Sequence, residues 1–100
     1  MPFEVSVTER ATADVTAIVD YLMEIDFDLA LRIHQGIVDH IEGFRDNPFV
    51  GEIIKTTRAG ILRESLHRSY RIFFIVDEPS RSVSVVRVRH VKRRSLKSLE

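Results

Sequence analysis

The sequence predicts an α+β fold: an N-terminal strand and a helical hairpin packed on a mainly antiparallel sheet, in the order β-α-α-β-β-β. Three observations carry it. Residues 3–7 alternate between apolar and polar, residues 9–44 hold two amphipathic helical periods, and two late apolar runs, residues 70–76 and 83–90, flank a short polar turn.

Phe3, Val5 and Val7 alternate with Glu4, Ser6 and Thr8, the period-two pattern of a strand with one buried face. Thr8 is placed as a helix N-cap, with Glu9 where the helix dipole favours a negative charge. Val15, Ile18, Val19 and Leu22 then form one apolar stripe, opposite Asp14, Thr16 and Asp20. The acidic stretch from Glu24 to Asp28 interrupts it and supplies Asp26 and Asp28 as caps for a second helix. That helix carries Ala30, Ile33, Ile37, Ile41 and Phe44 on its core side, and Asn47-Pro48 stops it. Gly36 sits mid-helix at a cost of about 1 kcal/mol against alanine, so it marks either a close crossing with the first helix or a tolerated surface position.

Residues 49–60 show no sustained period, and Gly51 and Gly60 bracket what reads as a connecting loop. Residues 61–67 read as the first late strand. Residues 70–76 are apolar on both faces, which predicts a central strand covered on both sides. Residues 83–90 are its antiparallel partner across a turn at 77–82 that keeps Pro79 out of the ladder. The tail 91–99 is basic and reads as a short helix or a loose end.

One hundred residues with 44% apolar content fit a single domain, taken as residues 1–98, with Leu99-Glu100 set aside as a cloning scar. The absence of cysteine removes disulfide and zinc-knuckle readings and favours a reducing compartment, the cytoplasm. No apolar run approaches the roughly 20 residues that span a bilayer, and the first residues lack a signal-peptide pattern. The four histidines show no His-x-x-x-His spacing, so neither a metal nor a cofactor is expected, and His34 and His40 read as ordinary helix-surface residues. No nucleophile elbow and no glycine-rich phosphate loop occurs, which excludes the common hydrolase and nucleotide-binding classes.

The net charge of zero conceals a split. Residues 1–54 hold three basic residues against eleven acidic ones, a balance of −8, and residues 55–100 hold twelve against four, a balance of +8. Either one surface is built for an anionic partner, or basic sheet edges face acidic helices within the molecule. Folding the late hairpin about Pro79–Arg81 places Arg71 opposite Arg89 and Tyr70 opposite His90. Arg71, Arg87, Arg89, His90, Lys92, Arg93 and Arg94 then gather at one end of the sheet, and Arg63 on the preceding strand joins the candidate binding surface. Opposed like charges destabilise a strand pair, so an anionic ligand explains the arrangement more readily than structure does. Arg10, on the first helix, is expected to lie apart from this cluster.

The run YRIFFIVDEPSRSVSVVRVRHVKRR, residues 70–94, resembles the RelE/ParE superfamily of bacterial toxins, and the order of elements before it extends the resemblance over nearly the whole chain. The resemblance implies the toxin of a type II toxin–antitoxin module, a plasmid-stabilisation and growth-arrest device, with a cognate antitoxin that wraps the toxin through a segment expected to be acidic. Two branches differ in target. RelE-like members cleave messenger RNA on the ribosome, and Arg71 and His90 match a phosphate-stabilising arginine and a general acid of that metal-independent chemistry. The lysines of one nuclease group fall here at Leu62 and Glu64, the tyrosine of another at Val91, and no aromatic residue follows Phe74 to stack a base. The ParE-like branch, which poisons DNA gyrase and is not an enzyme, fits better: two full-length helices, Asn47-Pro48-x-x-Gly51, and the ending Val-Val-Arg-Val-x-His before basic residues. An mRNA endoribonuclease and a degenerate, non-toxic binding module are the alternatives.

Overall fold

The computed structural model describes residues 1–92. β1 (Glu4–Val7) leads into α1 (Glu9–Ile25), which Thr8 caps by accepting the Ala11 N–H on Oγ1 at 3.1 Å. Asp26 then serves two helices. Its backbone N–H donates to the Leu22 carbonyl at 2.8 Å and closes α1, while its carboxylate accepts the Leu29 N–H at 3.1 Å and opens α2 (Phe27–Glu42). A joint of one residue makes the helical hairpin tight. A 3₁₀ turn, Gly43–Arg45, ends α2 and sets Phe44 in a stack on Phe74, 4.1 Å between ring centroids.

Four further strands follow: β2 (Glu52–Thr57), β3 (Gly60–His67), β4 (Tyr70–Asp77) and β5 (Ser82–His90). The sheet order is β1-β5-β4-β3-β2, with β1 parallel to β5 and every other pair antiparallel. The α+β class and the strand–hairpin–sheet order are those the sequence predicts, with one strand more. β2 occupies the segment read as a loop. It escapes sequence reading because it is an edge strand with almost every residue exposed, and its register against β3 breaks between Ile53 and Lys55, which destroys the period of two. Gly51, with φ of 72°, starts the turn into β2, where a Cβ would lie 2.0 Å from the Glu64 carbonyl oxygen.

The core lies between the hairpin and one face of the sheet. Ala30, Ile33, Ile37, Ile41 and Phe44 are all buried, facing Tyr70, Ile72, Phe74, Val76, Val83, Val85 and Val88. Each buried isoleucine or phenylalanine contributes about 1.5–3 kcal/mol relative to an exposed one. On α1 only Ala11 and Leu22 are fully buried, and Val15, Ile18 and Val19 pack at the margin. β1 buries less than its pattern predicts: Phe3 is buried, Val5 half-buried and Val7 exposed, because the strand ends the sheet on that side and turns away into α1. On the other face of β4, Phe73 is also buried.

Gly36 marks a close approach, but to β3 rather than to α1. A Cβ there would sit 2.3 Å from Nε2 of His67, so the missing side chain makes room for that ring. No helix among the described residues is long and apolar enough to cross a membrane. The basic tail beyond Lys92, and the final dipeptide, lie outside the described residues.

Candidate functional site: a cationic cleft beside the last strand

The hairpin register is the one expected, with Tyr70 opposite His90 and Arg71 opposite Arg89, but one residue is inserted near the middle. Phe73 pairs with Arg87 and Phe74 with Val85, so Val86 forms a bulge that re-aims the end of β5. β1 reaches only as far as Val85, and beyond it α1 takes over the edge of β5. Thr8 donates its backbone N–H to the Val85 carbonyl at 3.0 Å. One turn and a half later, Asp14 Oδ2 accepts both Arg87 Nε at 2.8 Å and the Val88 N–H at 2.9 Å, while Oδ1 accepts Arg87 Nη2 at 3.3 Å. An otherwise open strand edge is thereby covered, and its backbone donor satisfied.

Between α1 and the end of β5 the chain leaves a cleft of about 680 Å³. Arg10, Ala17, Ile18 and Tyr21 form the helical wall, and Tyr70, Val88, Arg89, His90 and Lys92 the sheet wall. The His90 ring meets Tyr70 edge-on, 5.3 Å between centroids. Its Nδ1 accepts the Lys92 N–H at 3.1 Å, an arrangement that leaves the proton of the neutral ring on Nε2. Asp14, the carboxylate in the lining, is bound to Arg87. Such a site suits a carboxylate-bearing or phosphate-bearing ligand with an apolar part to lie on Ala17, Ile18 and Tyr21.

The candidate residues read from the sequence separate into groups. Arg89, His90 and Lys92 line the cleft. Arg87 also lines it but is buried and bound to Asp14, so its charge is committed within the molecule. Arg71 is one strand further in and projects from the opposite face to Tyr70 and His90. It pairs there with Glu64, Nη1 to Oε2 at 3.6 Å, which offsets its position opposite Arg89. Arg63 is elsewhere again: its Nε donates to the Val50 carbonyl at 3.0 Å and its guanidinium stands 6.0 Å from the Phe49 ring. Arg93 and Arg94 lie outside the described residues. Arg10, expected apart, lines the cleft, and Arg71, which stands opposite Arg89 as expected, does not. Strand alternation separates Arg71 from His90 but not from Arg89 directly opposite, and a helix packed on the strand edge adds a cation from far away in sequence.

Residues 5–94 match the model of a family described as the ParE toxin of the type II toxin–antitoxin system parDE. The chain belongs to this family. It is therefore the toxin component of a type II toxin–antitoxin module. Among solved structures, the chromosomal ParDE system from P. aeruginosa is similar at a TM-score of 0.71 and 22% identity, covering 90% of this chain and 97% of that one. The RelBE2 toxin–antitoxin complex from Mycobacterium tuberculosis matches at 0.67 and 23%, covering 90% and 99%. The archaeal RelE–RelB complex from Pyrococcus horikoshii OT3 matches at 0.53 and 13%, covering 93% and 99%. Identities this low establish a shared fold. No curated protein matches the chain in sequence.

Within this ParE-family chain, sequence reading missed Arg10, Asp14 and Tyr21. A signal was present: Arg10, Asp14, Ala17 and Tyr21 recur at spacings of four, three and four, one face of a helix beside the apolar stripe. His40 also differs from expectation. It is half-buried in the seam between α2 and β3, with Nε2 2.7 Å from Oγ of buried Ser65 and its ring 5.5 Å from that of His67. Burial, and secondarily the neighbouring His67, lower its pKa below the ordinary histidine value.

Proposed function

We propose that this ParE-family toxin arrests growth by inhibiting DNA gyrase, and that a cognate antitoxin neutralises it by seating an acidic segment in the cleft beside β5. The family membership supports the gyrase reading through the resemblance of the chain to the ParE-like branch. One observation favours it over messenger-RNA cleavage. The two residues that match the nuclease chemistry, Arg71 and His90, start from opposite faces of the sheet, and Arg71 is paired with Glu64, an arrangement that does not favour their meeting on one phosphate. Charge supports the antitoxin assignment: Arg10, Arg89 and Lys92 flank an apolar floor, the complement of an acidic amphipathic segment.

Two assays on the purified toxin test this reading. Plasmid supercoiling by purified gyrase should be inhibited, with cleaved DNA accumulating, and the antitoxin should relieve it. Primer extension on translating mRNA should show no toxin-dependent cuts. Cuts within the ribosomal A-site codon that disappear in His90→Ala would overturn the proposal in favour of a nuclease, and silence in both assays would indicate a degenerate toxin.

A further inference from the structure

The helical hairpin carries a second apolar surface that the core does not use. Tyr21 and Ile25 on α1, and Phe27 and Leu31 on α2, each stand four residues apart on either side of Asp26, and they are 66%, 62%, 58% and 47% exposed. Leu22, Ala30 and Ile33, interleaved with them, are buried in the core. The helices are therefore apolar on two sides near the tip, although burial accounts for only one. Exposed apolar side chains gathered in this way mark a contact surface more often than isolated ones do.

The charge around Ile25 and Phe27, at the tip itself, is acidic, whereas Tyr21 also borders the cations of the cleft and Arg32 follows Leu31. Asp20, Glu24, Asp26 and Asp28 are all acidic, and no basic residue occurs between Arg10 and Arg32. An apolar patch ringed by carboxylates complements a partner that is apolar at the centre and basic at the rim. It disfavours an acidic antitoxin segment, and it disfavours a second copy docked tip to tip, because both would oppose like charges.

We infer that the hairpin tip is the surface through which the toxin grips its target, and that the target presents there an apolar patch flanked by lysine and arginine. The inference rests on the gyrase reading proposed above. Tyr21 belongs to both surfaces, since it lines the cationic cleft and also begins the exposed row at the tip. An antitoxin segment seated in the cleft therefore covers part of the target surface, and neutralisation is competition for the surroundings of Tyr21.

The test compares the full-length toxin with two variants in the gyrase supercoiling assay: Ile25→Ser with Phe27→Ser, and Asp20→Lys with Glu24→Lys. Circular dichroism melts check that both fold, as their exposed positions lead one to expect, and light scattering reports the oligomeric state. The concentration needed for inhibition should rise about tenfold or more in each variant, the loss typical of removing interface anchors. Affinity for the cognate antitoxin should be unchanged in the serine variant and unchanged or raised in the lysine variant, whose added cations favour an acidic segment beside Tyr21. Folded variants that inhibit gyrase like the wild type would overturn this inference while leaving the gyrase reading intact. So would an equal loss of antitoxin affinity, which would place the tip in that interface, or a serine variant that dissociates a dimer yet still inhibits. A wild-type toxin that leaves gyrase untouched would remove both.

Discussion

Arg87 on β5 and Asp14 on α1 form a two-point ion pair, 2.8 and 3.3 Å, between side chains only 10% and 14% exposed, and the same carboxylate accepts the Val88 N–H. Removing one partner leaves a nearly buried charge without compensation. Asp14→Ala should therefore destabilise the fold by about 3–5 kcal/mol. Urea denaturation measures it. Asp14→Asn, which keeps an oxygen for Val88, should cost less, and equal losses in the two variants would show that the loss lies wholly in the charge and that the retained hydrogen bond contributes nothing.

Gly36 and His67 should be energetically coupled. Gly36→Ala adds a methyl group that would sit 2.3 Å from His67 Nε2, and overpacking of this kind costs about 1–3 kcal/mol. With His67→Ala in the background the clash disappears, and the better helix propensity of alanine should stabilise the protein by up to about 1 kcal/mol. A change of sign between the two backgrounds in a double-mutant cycle is the expected result. Simple additivity would mean that the ring swings away at no cost.

Acid should weaken the seam between α2 and β3. The pKa of His40 is lowered in the folded state, by burial first and by His67 second, so on acidification the unfolded chain takes up the proton before the folded one does. This contribution to stability is complete above the ordinary histidine pKa of about 6.5. It declines as pH falls below that value and levels off beneath the lowered pKa of the folded state. Urea midpoints between about pH 8 and pH 5 should show the decline, and His40→Gln should flatten it in this window. An unchanged slope in that variant would assign the acid sensitivity to other groups.

Arg10→Ala should weaken antitoxin binding more than Arg71→Ala. Arg10 lines the cleft, whereas Arg71 is paired with Glu64 on the other face. An exposed cation facing one carboxylate of the partner is worth up to about 1 kcal/mol, or roughly fivefold in affinity. Binding of the wild type should also weaken with added salt, since exposed charges are screened within about 8 Å at physiological ionic strength. Isothermal titration across a salt series reads both effects, and an affinity indifferent to salt would mean an apolar interface.

The sequence by itself determined most of the elements, because local interactions decide them. Thr8 and Asp26 cap helices through bonds three residues long, Ile33, Ile37 and Ile41 repeat at the helical period, and the turn around Pro79 joins β4 to β5, although it is the Val86 bulge that then brings His90 opposite Tyr70. It could not mark β2, whose exposed residues and broken register carry no periodic signal. Nor could it assemble the candidate site. Strand pairing reports which residues are neighbours, but the face each one takes, and what packs against the strand edge, depend on contacts more than seventy residues apart, as between Asp14 and Arg87. Those contacts placed Arg10 and Tyr21 in the cleft, committed Arg87 to α1 and turned Arg71 to the far face. The tertiary structure alone decided them, since the free energy that orders these side chains comes from burial and ion pairing between elements and leaves no local trace in the chain.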